Sequence, residues 1–205
     1  MDTVNAVFST RYAGSVDYYA AMLRYRRVAI DLTELYDKHR HYLNRMDIVA
    51  TNGPQQLTAA LQKPNRSMTA AGILLSDHGN WRHNHWGALF SAYGRTPFFD
   101  YFADDLKKIY TDPSITTIAA LNCALHAAVI DFLDLDVQTV IIDRKDDSVA
   151  ADAVDLHDAN FNAGTTVGPY YQIWSQKFGF QPNQSILDLL FNLGREAYFV
   201  LRQQS

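Results

Sequence analysis

The chain opens with a strand, a helix and a second strand in immediate succession, and this order restricts its possible folds more than any other feature. Ala6-Val7-Phe8 is a short apolar run ending at Ser9-Thr10. Ser15 can cap a helix that places Val16, Tyr19, Met22 and Leu23 on one face, the spacing of an amphipathic turn. Arg27-Val28-Ala29-Ile30-Asp31-Leu32 then reads as the next strand. A strand–helix–strand unit favours a parallel pair joined by a right-handed crossover. Further short strands are expected over 47–50, 56–61 and 72–75, with Asn52-Gly53-Pro54 as a turn and a loop over 62–71.

The second half predicts helices. Asp77 can cap one over 79–93. Thr96-Pro97 opens another running to Tyr110, and Asp112-Pro113 repeats that signature before a helix to Leu133. Residues 138–143 are apolar enough for a strand, whereas 144–168 are polar, weakly patterned and read as irregular. Ser185-Ile186-Leu187-Asp188 fits a capping box, followed by the apolar Leu187, Leu190 and Phe191 face and a stop at Gly194. No repeat or linker breaks the chain. The predicted fold is a single α/β domain over 1–205: a small, mainly parallel sheet from the N-terminal half and a mostly helical C-terminal half.

Composition bounds the partners. With 48% hydrophobic and 20% charged residues, the 205-residue chain can bury a real core. Its net charge is −4, and Arg24-Tyr25-Arg26-Arg27 is its one basic cluster, so no basic face advertises nucleic-acid binding. The single cysteine, Cys123, excludes an intrachain disulfide and a multi-cysteine zinc module; its apolar neighbours suit a buried small side chain. The start lacks a basic segment followed by an apolar one, and no run approaches the ~20 apolar residues of a membrane span. A cytoplasmic protein without membrane insertion is expected. No pattern sets an oligomeric state.

Function concentrates in 76–86, Ser-Asp-His-Gly-Asn-Trp-Arg-His-Asn-His-Trp, which holds three of the seven histidines and two of the three tryptophans. On a helix advancing ~100° per residue, His85 shares a face with His78, Trp81 and Leu89. Arg82 lies four residues from both His78 and Trp86. Imidazole, guanidinium and indole on one stripe suit an anionic or planar ligand, with His78 or His85 as acid/base. Packing and a metal site are the competing readings. His83 and His85 point apart, so a metal would need distant ligands such as His39, His41 or Asp31. A second polar cluster, Tyr36 to Arg45, could hold a carboxylate or phosphate through Asn44 and Arg45, or simply be a solvated connection. Glycine-rich phosphate loops, GxSxG, HExxH and GxGxxG are absent, and no cofactor is identified.

Several segments together resemble the WbqC-like protein family in the form common in Bacteroidetes. They are Thr10-Arg11-Tyr12 through Tyr18-Tyr19, Tyr42-Leu43-Asn44-Arg45, Asn52-Gly53-Pro54 with Leu57-Thr58, the block 76–83, and His85-Trp86. Ala92-Tyr93, Thr96-Pro97-Phe98-Phe99, Tyr170-Tyr171-Gln172, Gln176 and the block 185–194 continue the match. The family pattern has a proline in the turn after Tyr12, where this chain has Gly14 and no proline. The resemblance implies a transferase of O-antigen-type polysaccharide assembly, in which aminoacyl or glycyl transfer has been suggested. It also implies Tyr12, Asn44, Arg45, Trp81, Tyr93 and Gln172 as site residues. With Arg82 for an anionic, nucleotide-sugar-like ligand and His78 or His85 as proton carrier, the site is expected where the first strand ends, near residues 9–12. Alanine at Arg82 or His85 is then expected to abolish turnover with little change in melting temperature. Nucleotidylyl transfer, or non-catalytic binding of a nucleotide-sugar or carrier, are the alternatives. The first of these lacks its histidine pair in the turn 11–17.

Overall fold

A computed structural model describes residues 4–39, 42–143, 152–157 and 167–203. The opening unit forms as read: β1 (Ala6–Ser9), α1 (Val16–Tyr25) and β2 (Arg27–Asp31). Ser15 caps α1 by accepting from the Tyr18 backbone N–H. β3 (Arg45–Ala50) and β4 (Gly53–Thr58) follow, then α2 (Trp81–Tyr93), α3 (Phe99–Thr111) and α4 (Ile118–Leu133). The chain continues through β5 (Gln138–Ile142), β6 (Val154–Leu156), α5 (Ser175–Phe178), α6 (Ile186–Leu193) and α7 (Ala197–Arg202). Among the described residues no helix is long and apolar enough to cross a membrane.

The expected α/β class and mainly parallel sheet are found. The sheet has the order β5-β2-β1-β6, and every neighbour is parallel. Its two inner strands come from the opening unit; its outer strands come from later in the chain, and β6 lies in the stretch expected to be irregular. The strand pair β3–β4 does not join this sheet: it is a separate antiparallel hairpin turning at Thr51 and Asn52. Residues 72–75 form no ladder either. A short 3-10 turn at Ala70–Gly72 leads into single bridges of Leu74 to Thr117 and Leu75 to Leu61.

Alternation along the strands sends Ala6, Phe8, Val28 and Ile30 into the main core, while Val7, Ala29 and Ile142 form a small cluster on the opposite face. α6 is buried from Ile186 to Asn192: its leucines, Ile186 and Phe191 fill the core, and its two polar residues, Asp188 and Asn192, are satisfied by hydrogen bonds. Each of its large apolar side chains contributes roughly 1.5–3 kcal/mol. Ser185 caps it through the Leu187 N–H, and its hydroxyl also donates to the Ala13 carbonyl at 2.8 Å. The Ile186 N–H donates to Gly14 O and the Val16 N–H to Gln184 O. The starts of α1 and α6 are thereby tied together, which pins the loop after β1.

Helix starts deviate from the expected ones where backbone conformation overrides composition. Gly79 (φ 73°) and Asn80 (φ 48°) are left-handed, so α2 starts at Trp81 and His78 stands outside it. Asp77 makes no cap; the Ser76 hydroxyl accepts from the His78 N–H instead. After Pro113 the chain turns before Thr117 caps α4 through the Ala120 N–H.

Candidate functional site

In open parallel sheets, ligands gather beyond the carboxyl ends of the strands where successive connections run in opposite directions. Here the chain passes from β1 outward to β2 and β5, then returns to the other side of β1 as β6, so that place lies between β1 and β6. Three strand ends meet there. Ser9 closes β1 and donates its hydroxyl to the His157 carbonyl at 2.8 Å. Asp31 closes β2; one carboxylate oxygen accepts from the Thr33 N–H, and the other is 3.1 Å from His157 Nε2. Asp155 of β6 accepts from the His157 N–H at 3.0 Å and faces His157 Nδ1 at 2.6 Å. The imidazole is thus held with a carboxylate on each nitrogen. The side chains of His157 and Asp31 are 20% and 17% exposed, sheltered yet reachable, while Asp155 is open at 77%.

Two residues beyond Ser9, the Arg11 guanidinium lies 5.4 Å from the Tyr18 ring centroid and 4.9 Å from that of Tyr42. Burial pulls its pKa below the usual arginine value, and the two tyrosines oppose that shift. Tyr42 leads into a cleft of about 570 Å³ that it lines with Asp47, Gln56, Asn183 and Gln184. A narrow recess shares Tyr42, Asp47 and Asn183 with this cleft and adds Tyr12 and Arg45. Tyr12 and Arg45 both border this recess, which at about 10 Å³ is no larger than a water molecule. Asn44 does not point into it: its amide donates to the Ala59 carbonyl at 2.8 Å and closes the open end of the hairpin.

The stripe expected on α2 divides. Tyr12 OH is 2.8 Å from His85 Nδ1 and 2.8 Å from Tyr110 OH, and all three residues are buried. Burial lowers the His85 pKa from 6.5 to about 4, against a backbone hydrogen bond at Thr58. With the proton of the neutral ring on Nε2, Nδ1 would accept from Tyr12 OH and Tyr12 OH in turn from Tyr110 OH. Trp81 packs edge-on against His85 and donates its indole N–H to the Ser76 carbonyl. Arg82 donates to the carbonyls of Tyr110 and Ile115, tying α2 to the end of α3. His78 is exposed on the turn before α2. The geometry thus parts His78 and Arg82 from the recess of Tyr12 and Arg45, with the Tyr12–His85–Tyr110 chain between.

Tyr93 and Gln172 come together in a third place. Tyr93 OH accepts from the Val49 N–H and, with Tyr170 and Gln172, hydrogen-bonds the Asp188 carboxylate. Asp188 is 1% exposed, and burial raises its pKa against those three donors. Its side chain therefore serves this cluster instead of the expected capping box. The Gln172 carbonyl and amide also clasp the Gln181 backbone, each at 2.9 Å.

His157 was missed because its stretch lacks helical or long strand periodicity. The local signal was the short alternation Val154-Asp155-Leu156 ending in a histidine. His126 was missed too: it is buried between Tyr19 OH and Thr139 Oγ1, 3.2 and 2.9 Å away. Among the described residues no three His, Cys, Asp or Glu side chains converge as a metal would require, and His41 lies outside the described residues.

A model of the WbqC-like protein family matches residues 12–160, a span running from the loop after β1 through β6. The chain belongs to the WbqC-like protein family. An uncharacterized protein of Mycobacterium tuberculosis is 27% identical over 190 residues, spanning 80% of this chain and 82% of that relative. No solved structure matches. The family span takes in Asp31, Asp155 and His157 as well as Tyr12, Asn44, Arg45, Trp81, Arg82, His85 and Tyr93. In this WbqC-like protein, Gln172 and Asp188 lie beyond it.

Proposed function

We propose that this WbqC-like protein is a cytoplasmic transferase of surface-polysaccharide (O-antigen-type) assembly, moving an activated aminoacyl or similar small group onto a sugar. The observation that carries the reading is the Asp31–His157–Asp155 cluster at the carboxyl edge of the sheet, where β1 and β6 diverge. An acceptor hydroxyl or amine that displaces Asp31 from His157 Nε2 can pass its proton to that nitrogen as it attacks an activated carbonyl and expels the activating group, while Asp155 on Nδ1 orients the ring. Arg11 and Arg45 supply cations for the anionic, nucleotide-like part of a donor. His85 then serves by holding Tyr12 at the wall of the recess. Neither nucleic acid nor membrane insertion enters this reading.

The test is incubation of the purified protein with nucleotide-sugar and aminoacyl-adenylate pools, with products read by mass spectrometry. A new aminoacylated sugar is expected, formed at least about 100-fold more slowly by His157→Gln, the scale of a lost acid/base group. Product formation at the wild-type rate in that variant removes the proposal. The second reading is a non-catalytic nucleotide-sugar or carrier-binding module. It is favoured by the polar tips of Tyr12, His85, Trp81, Arg82 and Gln172, which are already paired within the protein. It predicts a thermal shift with nucleotide-sugars and no product. A nucleotidylyl transferase would share the parallel β1–α1–β2 unit, but residues 10–14 after β1 contain no histidine.

A further inference from the structure

On the far side of the Tyr12–His85–Tyr110 chain lies a cleft of about 730 Å³ between the start of α2 and the end of α3. That volume is within the range of small-molecule sites, about 300–1,000 Å³. Its polar groups differ in kind from the buried networks described above. Trp81 and Trp174 spend their indole N–H groups on the carbonyls of Ser76 and Ala92. Trp86 lines the cleft, and among the described residues no hydrogen bond engages its indole N–H. The side chains of Asp77, Asn80, His83 and Lys107 line the same cleft, and among the described residues none of them makes a hydrogen bond or ion pair. Donors and acceptors therefore ring an open hollow, and nothing among the described residues satisfies them.

The lining also constrains the ligand. Trp86 packs at 6.0 and 6.2 Å against the rings of Phe99 and Tyr110, so the core holds the indole in place at the cleft wall. An indole so held offers an apolar surface and a polar edge. Arg82 and Lys107 are matched by Asp77 and Asp112, so the fixed charges cancel. Arg82 is further occupied by the Tyr110 and Ile115 carbonyls. A dianion such as phosphate would find no net attraction here. A ring with an apolar face and many hydroxyls would find the indole for that face, Asp77 as acceptor, and Asn80, His83 and Lys107 for its oxygens.

We propose that this cleft binds a neutral saccharide unit, stacked on Trp86 and hydrogen-bonded by Asp77 and His83. The site is separate from the sheet edge, and its occupancy does not depend on transfer there. In ¹H–¹⁵N spectra of the full chain, the Trp86 indole signal, assigned with Trp86→Phe, is followed during titration with glucose, galactose and N-acetylglucosamine. Inorganic phosphate is titrated in parallel. At least one sugar should shift that signal saturably at millimolar concentration while the Trp81 and Trp174 signals stay still. Asp77→Ala and His83→Ala, both at exposed positions outside the core, should weaken the response at least about tenfold, or 1.4 kcal/mol. The proposal is overturned by silence of the Trp86 signal with all three sugars, by a response to phosphate alone, or by wild-type affinity in both variants. Loss of product formation at the sheet edge with sugar binding intact would count against the transferase reading alone.

Discussion

Lowering the pH should destabilise this protein through two buried histidines, and the size of the effect follows from their surroundings. His85 is 5% exposed and His126 is 7% exposed, and burial lowers the pKa of each from 6.5 to about 4. Both folded values lie below the unfolded one, so as pH falls the unfolded chain takes up these protons first. Their contribution to stability is complete above pH 6.5 and is lost progressively toward pH 4. At about 1.4 kcal/mol per pH unit, the interval from 6.5 to about 4 amounts to about 3 kcal/mol for each histidine. Asp188 and Asp17, whose pKa values burial raises, act with the opposite sign, because the folded state holds their protons more tightly. A comparison of variants separates these contributions. His126→Gln keeps groups that can meet Tyr19 OH and Thr139 Oγ1 but cannot titrate. Urea unfolding followed by circular dichroism from pH about 7 to about 4.5 should give a wild-type curve steeper than the variant's by about 1 kcal/mol per pH unit averaged over that interval. Parallel slopes would refute the argument, since they would mean that His126 is already protonated in the folded protein or still neutral in the unfolded one.

Two further outcomes follow from the site geometry. Tyr12→Phe deletes the hydroxyl at the middle of the Tyr110–Tyr12–His85 chain and strands two buried groups, so it should cost about 2–4 kcal/mol; Tyr110→Phe, which removes only one end of the chain, should cost about 1 kcal/mol. Equal losses in urea unfolding would contradict the central place of Tyr12 in that chain. Arg82→Ala removes the hydrogen bonds to the carbonyls of Tyr110, at the end of α3, and Ile115, in the connection beyond it, and should lower stability by about 2 kcal/mol, visible as a lower melting temperature. This revises the expectation that Arg82 could be truncated with little thermal effect, and an unchanged melting temperature would restore it.

Local signals carried much of the fold. Ser15 and Ser185 each start a helix because a hydroxyl at that position can accept an orphan N–H, whatever the chain does elsewhere. Gly194 (φ 56°) ends α6, and a side chain there would meet the Phe98 ring at 2.5 Å. The cluster 76–86 also drew attention to a real feature, since Trp81, Arg82, His85 and Trp86 all meet structural or cleft neighbours. Its division was not legible. Helical spacing put His78 on the His85 face, whereas the left-handed Gly79 and Asn80 turned it away. Likewise Asp188 matched a capping pattern locally, but Tyr93, Tyr170 and Gln172 reach its carboxylate from distant segments.

Sequence alone determined the βαβ opening, the helical second half, the main capping residues and membership of the family, because each depends on residue order within a short window. Tertiary structure decided which strands flank β1, why β3 and β4 stand apart, and which polar groups meet. Asp31 and His157 are 126 residues apart, and Tyr12 is 73 residues from His85. Such pairs form only after the sheet order and helix packing have brought strand ends and core side chains together, and no periodicity along the chain encodes that meeting.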